Sequence, residues 1–343
     1  MKTHKGFEDD SMQWPYHPKG NPMSRTLART KVHGSLTPHK VLLAGLAVSL
    51  FSTSLSVQKV FGQLFVPVTT GPIHEDVEGT FGFGWADYDG DGRLDLLVAN
   101  TDASAWPEVT SSLYRNNGNG TFTKVPHAAP ATKPGSYVDA AWGDYDNDGH
   151  LDLFVPNADG QNNDLFRNNG DGTFTDITGP PGSPSNDGGD ARAAAWVDFD
   201  SDGYLDLFVV NAGSSDGYVT GENDCLYRNN GDGTFTRTTA AQVGAIVTDA
   251  DPGWALWWGD YDNDGLIDLL RFRYRPGIVL EPILYRNGGS EGFSRVLVSS
   301  LTDAGANWGG WVDYDNDGWL DVFGCNLDAP YRLHRNLEGS AFV

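Results

Sequence analysis

The stretch that decides the fold is WGDYDNDGHLDLF, Trp142–Phe154, followed after ten residues by LFRNNGDGTF, Leu165–Phe174. Asp occupies positions 1, 3, 5 and 9 of a short loop that starts one residue past the Gly after Trp142, and Gly occupies position 6. The flanking runs are too short for helices and rich in aromatic and branched residues, which suits strands on either side of the loop. The NNGDG run supplies residues that tolerate positive φ, as a tight hairpin requires.

Both motifs recur in phase. WADYDGDGRLDLL begins at Trp85, WVDFDSDGYLDLF at Trp196, WGDYDNDGLIDLL at Trp258 and WVDYDNDGWLDVF at Trp311. The first Asp of each loop falls at 87, 144, 198, 260 and 313, at intervals of 57, 54, 62 and 53 residues. The companion reads LYRNNGNGTF from Leu113 and LYRNNGDGTF from Leu226, weakening to LYRNGGSEGF from Leu284 and LHRNLEGSAF from Leu333. Each unit reads as four short strands: a run ending in Trp, the LDLF run, LYRN, and a run starting at the Phe of GTF. Four strands in 50–60 residues, repeated, predict an all-β fold of β-propeller blades, five of them visible in the chain. The five Trp residues are expected to pack between blades. Phe65–Thr69 reads as an isolated fourth strand that could complete the last blade, and Ala341–Val343 as the start of another. Two counts stay open, a ring closed at five blades or part of a seven-bladed ring.

The 343 residues carry 46 acids against 23 Lys/Arg, a formal net charge of −23. That excludes nucleic-acid binding through bulk positive charge and disfavours adsorption to anionic membranes. Residues 1–62 hold eight of the bases and only three of the acids. A long basic stretch, the apolar run Val41–Phe51 and the small residues after it have the order of a secretory signal. The expected division is therefore an export segment, 1–62, with a start at Met1 or Met23, and a propeller, 63–343, without a membrane span and secreted or placed in the cell envelope.

Of the 43 acids in residues 63–343, twenty lie in the five loops. The sets are Asp87, Asp89, Asp91 and Asp95; Asp144, Asp146, Asp148 and Asp152; Asp198, Asp200, Asp202 and Asp206; Asp260, Asp262, Asp264 and Asp268; and Asp313, Asp315, Asp317 and Asp321. Four carboxylates within nine residues repel one another unless a cation sits among them. Hard oxygen donors at odd positions of a tight loop suit Ca²⁺ better than Mg²⁺, which keeps its water. The carbonyl of position 7 (Arg93, His150, Tyr204, Leu266 or Trp319) would add a ligand. There is no Glu at position 12 and no flanking helix, so these are not EF-hands. About five Ca²⁺, mainly structural, are expected.

These motifs resemble the FG-GAP/VCBS repeats of integrin-α-like β-propellers, and the RNNGDGTF companion is similar to that of secreted VCBS and ASPIC/UnbV-associated proteins. The resemblance spans residues 63–343. It implies a propeller with Ca²⁺ between the first and second strands of each blade, and a role in cell adhesion or carbohydrate binding. It leaves the ligand open, because such propellers serve adhesion proteins, lectins and polysaccharide lyases.

Alternating strand directions put the Asp loops and the NNGDG turns on one face, and the variable loops on the other, where binding is expected. The candidates there are Arg271, Arg273 and Arg275, which share one strand face and could clamp an anionic sugar, and Trp106, Tyr218, Trp254 and Trp308, which could stack on sugar rings. Pairing of the arginines with nearby acids and burial of the aromatics are the competing structural explanations. Asp139 and Arg192 occupy comparable positions at the starts of first strands and could line the channel. No catalytic motif is present, and Cys225 and Cys325 are not expected to pair. The expected partner is an extracellular glycan or protein bound without catalysis; a lyase-like carbohydrate-active enzyme is the alternative.

Overall fold

A computed structural model describes residues 68–76, 79–101, 110–158, 160–177, 179–180, 182–187, 189–211, 223–249, 253–273, 280–297, 301, 308–325 and 330–343. The expected export segment 1–62, Trp106, Tyr218 and Arg275 lie outside the described residues.

Each repeat folds into one antiparallel sheet with its strands in chain order. Blade 1 comprises β1 (Thr80–Ala86), β2 (Asp95–Asn100), β3 (Ser112–Asn116) and β4 (Phe122–Lys124). Blade 2 comprises β5 (Ala141–Gly143), β6 (Asp152–Val155), β7 (Asp164–Asn168) and β8 (Phe174–Asp176). Blade 3 runs through β9 (Ala191–Val197), β10 (Asp206–Asn211), β11 (Cys225–Asn229) and β12 (Phe235–Arg237). Blade 4 runs through β13 (Gly253–Gly259), β14 (Asp268–Arg273), β15 (Ile283–Asn287) and β16 (Phe293–Val296). Blade 5 has β17 (Trp308–Val312), β18 (Asp321–Cys325) and β19 (Arg332–His334). Its outer edge is completed by the chain's last residues: Asn336 bridges Phe342, and Arg335 and Val343 exchange backbone hydrogen bonds of 2.8 and 2.9 Å. The five sheets make a five-bladed β-propeller. The place expected for Phe65–Thr69 is thus taken by Phe342; of that segment Val68 and Thr69 are described, and neither is in a strand.

The innermost strands of successive blades touch, β1 with β5, β5 with β9, β9 with β13 and β13 with β17. Small residues permit this. A Cβ on Gly143 would sit 2.6 Å from the Trp196 ring of the next blade. Every core cluster is shared by two blades. Leu97, Ala99 and Leu113 of blade 1 pack on Leu153, Val155 and Phe166 of blade 2, and the same pattern recurs at the next three junctions. The alternation of the LDLF run explains it, because successive residues face opposite neighbours and both faces must be apolar.

Trp142, Trp196, Trp258 and Trp311 pack between blades as expected. Trp85 departs from the pattern and is 47% exposed. Among the described residues no helix is long and apolar enough to cross a membrane. Cys225 and Cys325 are both free thiols.

Candidate functional site

Each Asp loop joins the first and second strands of its blade. Position 4 takes positive φ (Gly90, Asn147, Ser201, Asn263 and Asn316), and so does the Gly at position 6, which folds the loop tightly enough for position 1 to reach back. Asp144 shows the arrangement: its two carboxylate oxygens accept the backbone N–H of Asp148 at 3.0 Å and of Gly149 at 2.9 Å. Position 9 is the first residue of the second strand and is buried in all five blades. Asp152 accepts the N–H of Tyr145 at 3.1 Å and of Asn168 at 2.8 Å, so it joins its loop to the third strand.

The result is five clusters in which one oxygen each from positions 1, 3 and 9 lie within 4.8 Å of one another. They are Asp87/Asp89/Asp95, Asp144/Asp146/Asp152, Asp198/Asp200/Asp206, Asp260/Asp262/Asp268 and Asp313/Asp315/Asp321. Burial, with loop carboxylates nearby, pushes the carboxyls of Asp152, Asp206 and Asp268 up to about 7, and that of Asp95 up to about 6. Two buried oxygens, Asp95 Oδ2 and Asp262 Oδ1, accept no hydrogen bond. Buried acceptors left without a donor fit a cation. Oxygens bound to a common Ca²⁺ at roughly 2.3–2.6 Å fall within about 5 Å of each other, as these do.

Position 5 is not part of the three-carboxylate clusters. Its carboxylate accepts the N–H of position 7, as Asp148 does from His150 at 2.9 Å, and in four blades it also meets an arginine. In three of those the arginine belongs to the LYRN-type run and bridges positions 3 and 5: Arg228 to Asp200 and Asp202, Arg286 to Asp262 and Asp264, and Arg335 to Asp315 and Asp317, at 2.5–3.0 Å. In blade 1 Arg93, at position 7, pairs with Asp91 instead. The guanidinium thus holds the outer oxygens while the inner ones converge. Position 7 side chains lie over the companion turn: a Cβ on Gly170 would stand 2.3 Å from the His150 ring, and Gly170 has φ +73°. The two turns are neighbours on one face, as strand alternation requires.

By sequence the Asn of RNN is a turn residue; in the fold it is a three-way clasp. In blade 3, Asn229 Oδ1 accepts the N–H of Gly231 at 2.9 Å, and Nδ2 donates to Leu205 O at 3.0 Å and to Tyr145 O of blade 2 at 2.7 Å. Asn168, Asn287 and Asn336 make the corresponding bonds to Tyr88 O, Phe199 O and Tyr261 O of the preceding blades. The signal was available, since Arg and Asn persist in the weakest copy of the companion motif, where its turn glycines are partly lost.

A second feature lies on the axis. A cavity of about 290 Å³ is lined by the innermost segments of all five blades, including Phe81, Asp139, Arg192, Trp254, Trp257 and Trp308. Arg192 lies over the Trp254 ring at 5.9 Å and pairs with Asp190 at 3.1 Å; the rings of Trp254 and Trp308 meet edge-on at 6.3 Å. Asp139 accepts the N–H of Ala140 at 2.8 Å and of Ala194 at 3.3 Å, and burial raises its carboxyl above the usual range. Trp254, Trp308, Asp139 and Arg192 are therefore brought together; Trp257, next to the repeat residue Trp258, joins them.

The arginine clamp is a correction. Arg271 is fully buried and pairs with Asp224 of the adjoining blade at 2.6 Å, and Arg273 Nε donates to Glu281 O at 2.7 Å. Both point into the protein because their strand, β14, has a neighbour on each side. Arg271 ties blade 4 to blade 3, Arg273 is tied to the segment ahead of the third strand of its own blade, and neither is presented as an anion clamp.

Repeated strand–Asp loop–strand hairpins on a propeller define the class of protein. Residues 87–155, 148–209 and 211–270 match the FG-GAP-like repeat, and the chain belongs to that family. No curated protein matches it. Among solved structures it is similar to a lectin of Agrocybe aegerita described as specifically recognising non-reducing terminal N-acetylglucosamine, at 19% identity and a TM-score of 0.49 over 76% of this chain and 64% of that one. It is also similar to an exo-β-1,3-galactanase of Phanerochaete chrysosporium solved with galactose, at 10% identity and a TM-score of 0.42 over 80% of this chain and 61% of that one. The chain thus spans less than two thirds of the length of either.

Proposed function

We propose that the protein is an exported, Ca²⁺-stabilised propeller that binds a glycan at its axial cavity without transforming it. The cavity carries the reading. Trp254, Trp257 and Trp308 offer apolar ring faces of the kind that cover the C–H face of a sugar, while Arg192 and Asp139 offer a donor and an acceptor for hydroxyls. About 290 Å³ suits one sugar ring and part of a second.

Calcium would occupy the five clusters, held by the carboxylates at positions 1, 3 and 9, with position 7 carbonyls as the further ligands expected from the sequence. Its task is to neutralise buried carboxylates and fix the loops; the sugar chemistry belongs to the opposite end of the strands. The export segment supports a compartment where Ca²⁺ is plentiful and such weak loop sites fill.

The test is a polysaccharide panel with Ca²⁺ present, scored both for retention and for release of unsaturated or shortened products. Retention without product, lost in Trp254→Ala and Trp308→Ala, is the expected result. Product release would transfer the protein to the carbohydrate-active enzymes. No retention of any glycan would end the glycan proposal.

A further inference from the structure

Asp139 and Arg192 are the ionisable side chains lining the axial cavity, and the way they are tied decides what charge a ligand can bring. A guanidinium recognises a carboxylate or a sulfate through a fork of two parallel N–H donors, Nε with Nη2 or Nη1 with Nη2. Both forks of Arg192 are closed. Nη2 donates to Asp190 Oδ2 at 3.2 Å and stands 3.1 Å from its Oδ1. Nε is buried, with no hydrogen-bond partner, and a ligand entering from solvent does not reach it. Nη1 is left as a single donor, on a side chain 18% exposed. The charge balance agrees, with one guanidinium against the carboxylates of Asp190 and Asp139. The two Asp139 oxygens accept backbone N–H groups of Ala140 and Ala194, not a cation. Burial raises the Asp139 carboxyl, yet ionised or protonated it leaves the set without net positive charge. An anionic sugar would shed its water here with no open fork to replace it.

The three Trp rings of the cavity differ in what already covers them. Trp254 has Arg192 over its ring at 5.9 Å and meets Trp308 edge-on. Trp257 is 50% exposed, and its back is covered. A Cβ on Gly310 of blade 5 would stand 3.2–3.5 Å from three atoms of the Trp257 ring, both atoms of the fused bond among them. Near-equal distances to those atoms set the glycine against the flat face, not the edge. Trp311 Nε1 donates to Trp257 O at 3.1 Å, so blade 5 also fixes the backbone that carries the ring. A ring held from behind, with its other half open, is a stacking platform for the C–H face of a sugar.

On the footing that the axial cavity is the glycan site, we propose that its ligand is an uncharged sugar, stacked on Trp257 and oriented by single hydrogen bonds from Arg192 and to Asp139. Uronate, sialylated and sulfated glycans are turned away by the carboxylates and by the closed forks. One donor and one acceptor suit hydroxyl or amide groups, which Arg192 can serve without leaving Asp190.

The test is an array of short neutral hexose and N-acetylhexosamine oligosaccharides beside uronate, sialylated and sulfated ones, read with Ca²⁺ at about 50 and about 500 mM NaCl. A neutral oligosaccharide should be held at least about tenfold tighter than any acidic one, and its affinity should change less than about twofold with salt, because no ion pair forms with the ligand. Trp257→Ala should weaken that binding about tenfold or more with unchanged circular dichroism, and Trp257→Phe, which keeps a ring on Gly310, should recover part of the loss. Asp190→Asn, which removes one carboxylate and loosens Nη2, should let uronates gain on the neutral sugars. An acidic oligosaccharide held as tightly as the neutral ones, or binding that falls steeply with salt, overturns the proposal and leaves the glycan reading standing. Undiminished binding in Trp257→Ala overturns the platform, and continued exclusion of uronates by Asp190→Asn overturns the role of the closed forks. If no oligosaccharide of either kind is retained, the glycan reading falls and the proposal with it.

Discussion

The loop face and the axial cavity are built from the same five repeats and treat repetition in opposite ways. On the loop face every blade offers the same carboxylates, the same Gly and the same Asn, because each loop solves one local problem: converging charge and closing a junction. At the axis the innermost segments of the five blades offer Phe81, Asp139, Arg192, Trp254 and Trp308, four residue types in five places. Repetition marks what holds the blades together, and divergence marks where one asymmetric ligand can be recognised.

Chelation should break the loop face hardest. Five sites of about 10⁻⁴ M in about 1 mM Ca²⁺ would together contribute about 7 kcal/mol, so excess EDTA should lower Tm by at least about 10 °C in scanning calorimetry. An unchanged Tm would remove the metal from the comparison. Next in size is Arg271→Ala, which strands Asp224 in the core and should cost about 3–5 kcal/mol in urea denaturation, whereas replacing both partners by apolar residues should restore most of it. Asn229→Ala, which leaves the buried carbonyls of Tyr145 and Leu205 without their donor, should cost about 2 kcal/mol by the same measurement. The smallest effect on stability belongs to the axis. Trp308→Ala, at a half-exposed ring, should change the folding free energy by less than about 1 kcal/mol yet weaken glycan retention about tenfold or more in affinity electrophoresis. If it unfolds the protein instead, the axis is packing, and the contrast between the two regions disappears.

The blades, their strand order and the Asp clusters were legible because short-range rules govern them. A nine-residue loop with Gly at position 6 encodes its own geometry, and five copies in phase remove ambiguity. What escaped the sequence was decided between repeats. Arg271 looks like a surface cation on an alternating strand until β14 is seen to have a blade on either side and Asp224 waiting in one of them. The side chain of position 5 turns from the cluster to an arginine 18–26 residues away in blades 3, 4 and 5, a pairing that only the register of the third strand creates. Trp85 looks like the other four repeat Trp residues, and its exposure depends on what lies beside blade 1 rather than on its own surroundings in sequence.

The Asn clasp has a consequence for how the chain is made. The clasp always runs backwards: Asn168 of blade 2 secures the loop carbonyl of blade 1, Asn229 that of blade 2, and so on to Asn336. A blade emerging from the ribosome therefore cannot finish itself. Its loop and its outward apolar face wait for another 50–60 residues to arrive, and synthesis advances as a series of locks, each closed by the repeat that follows.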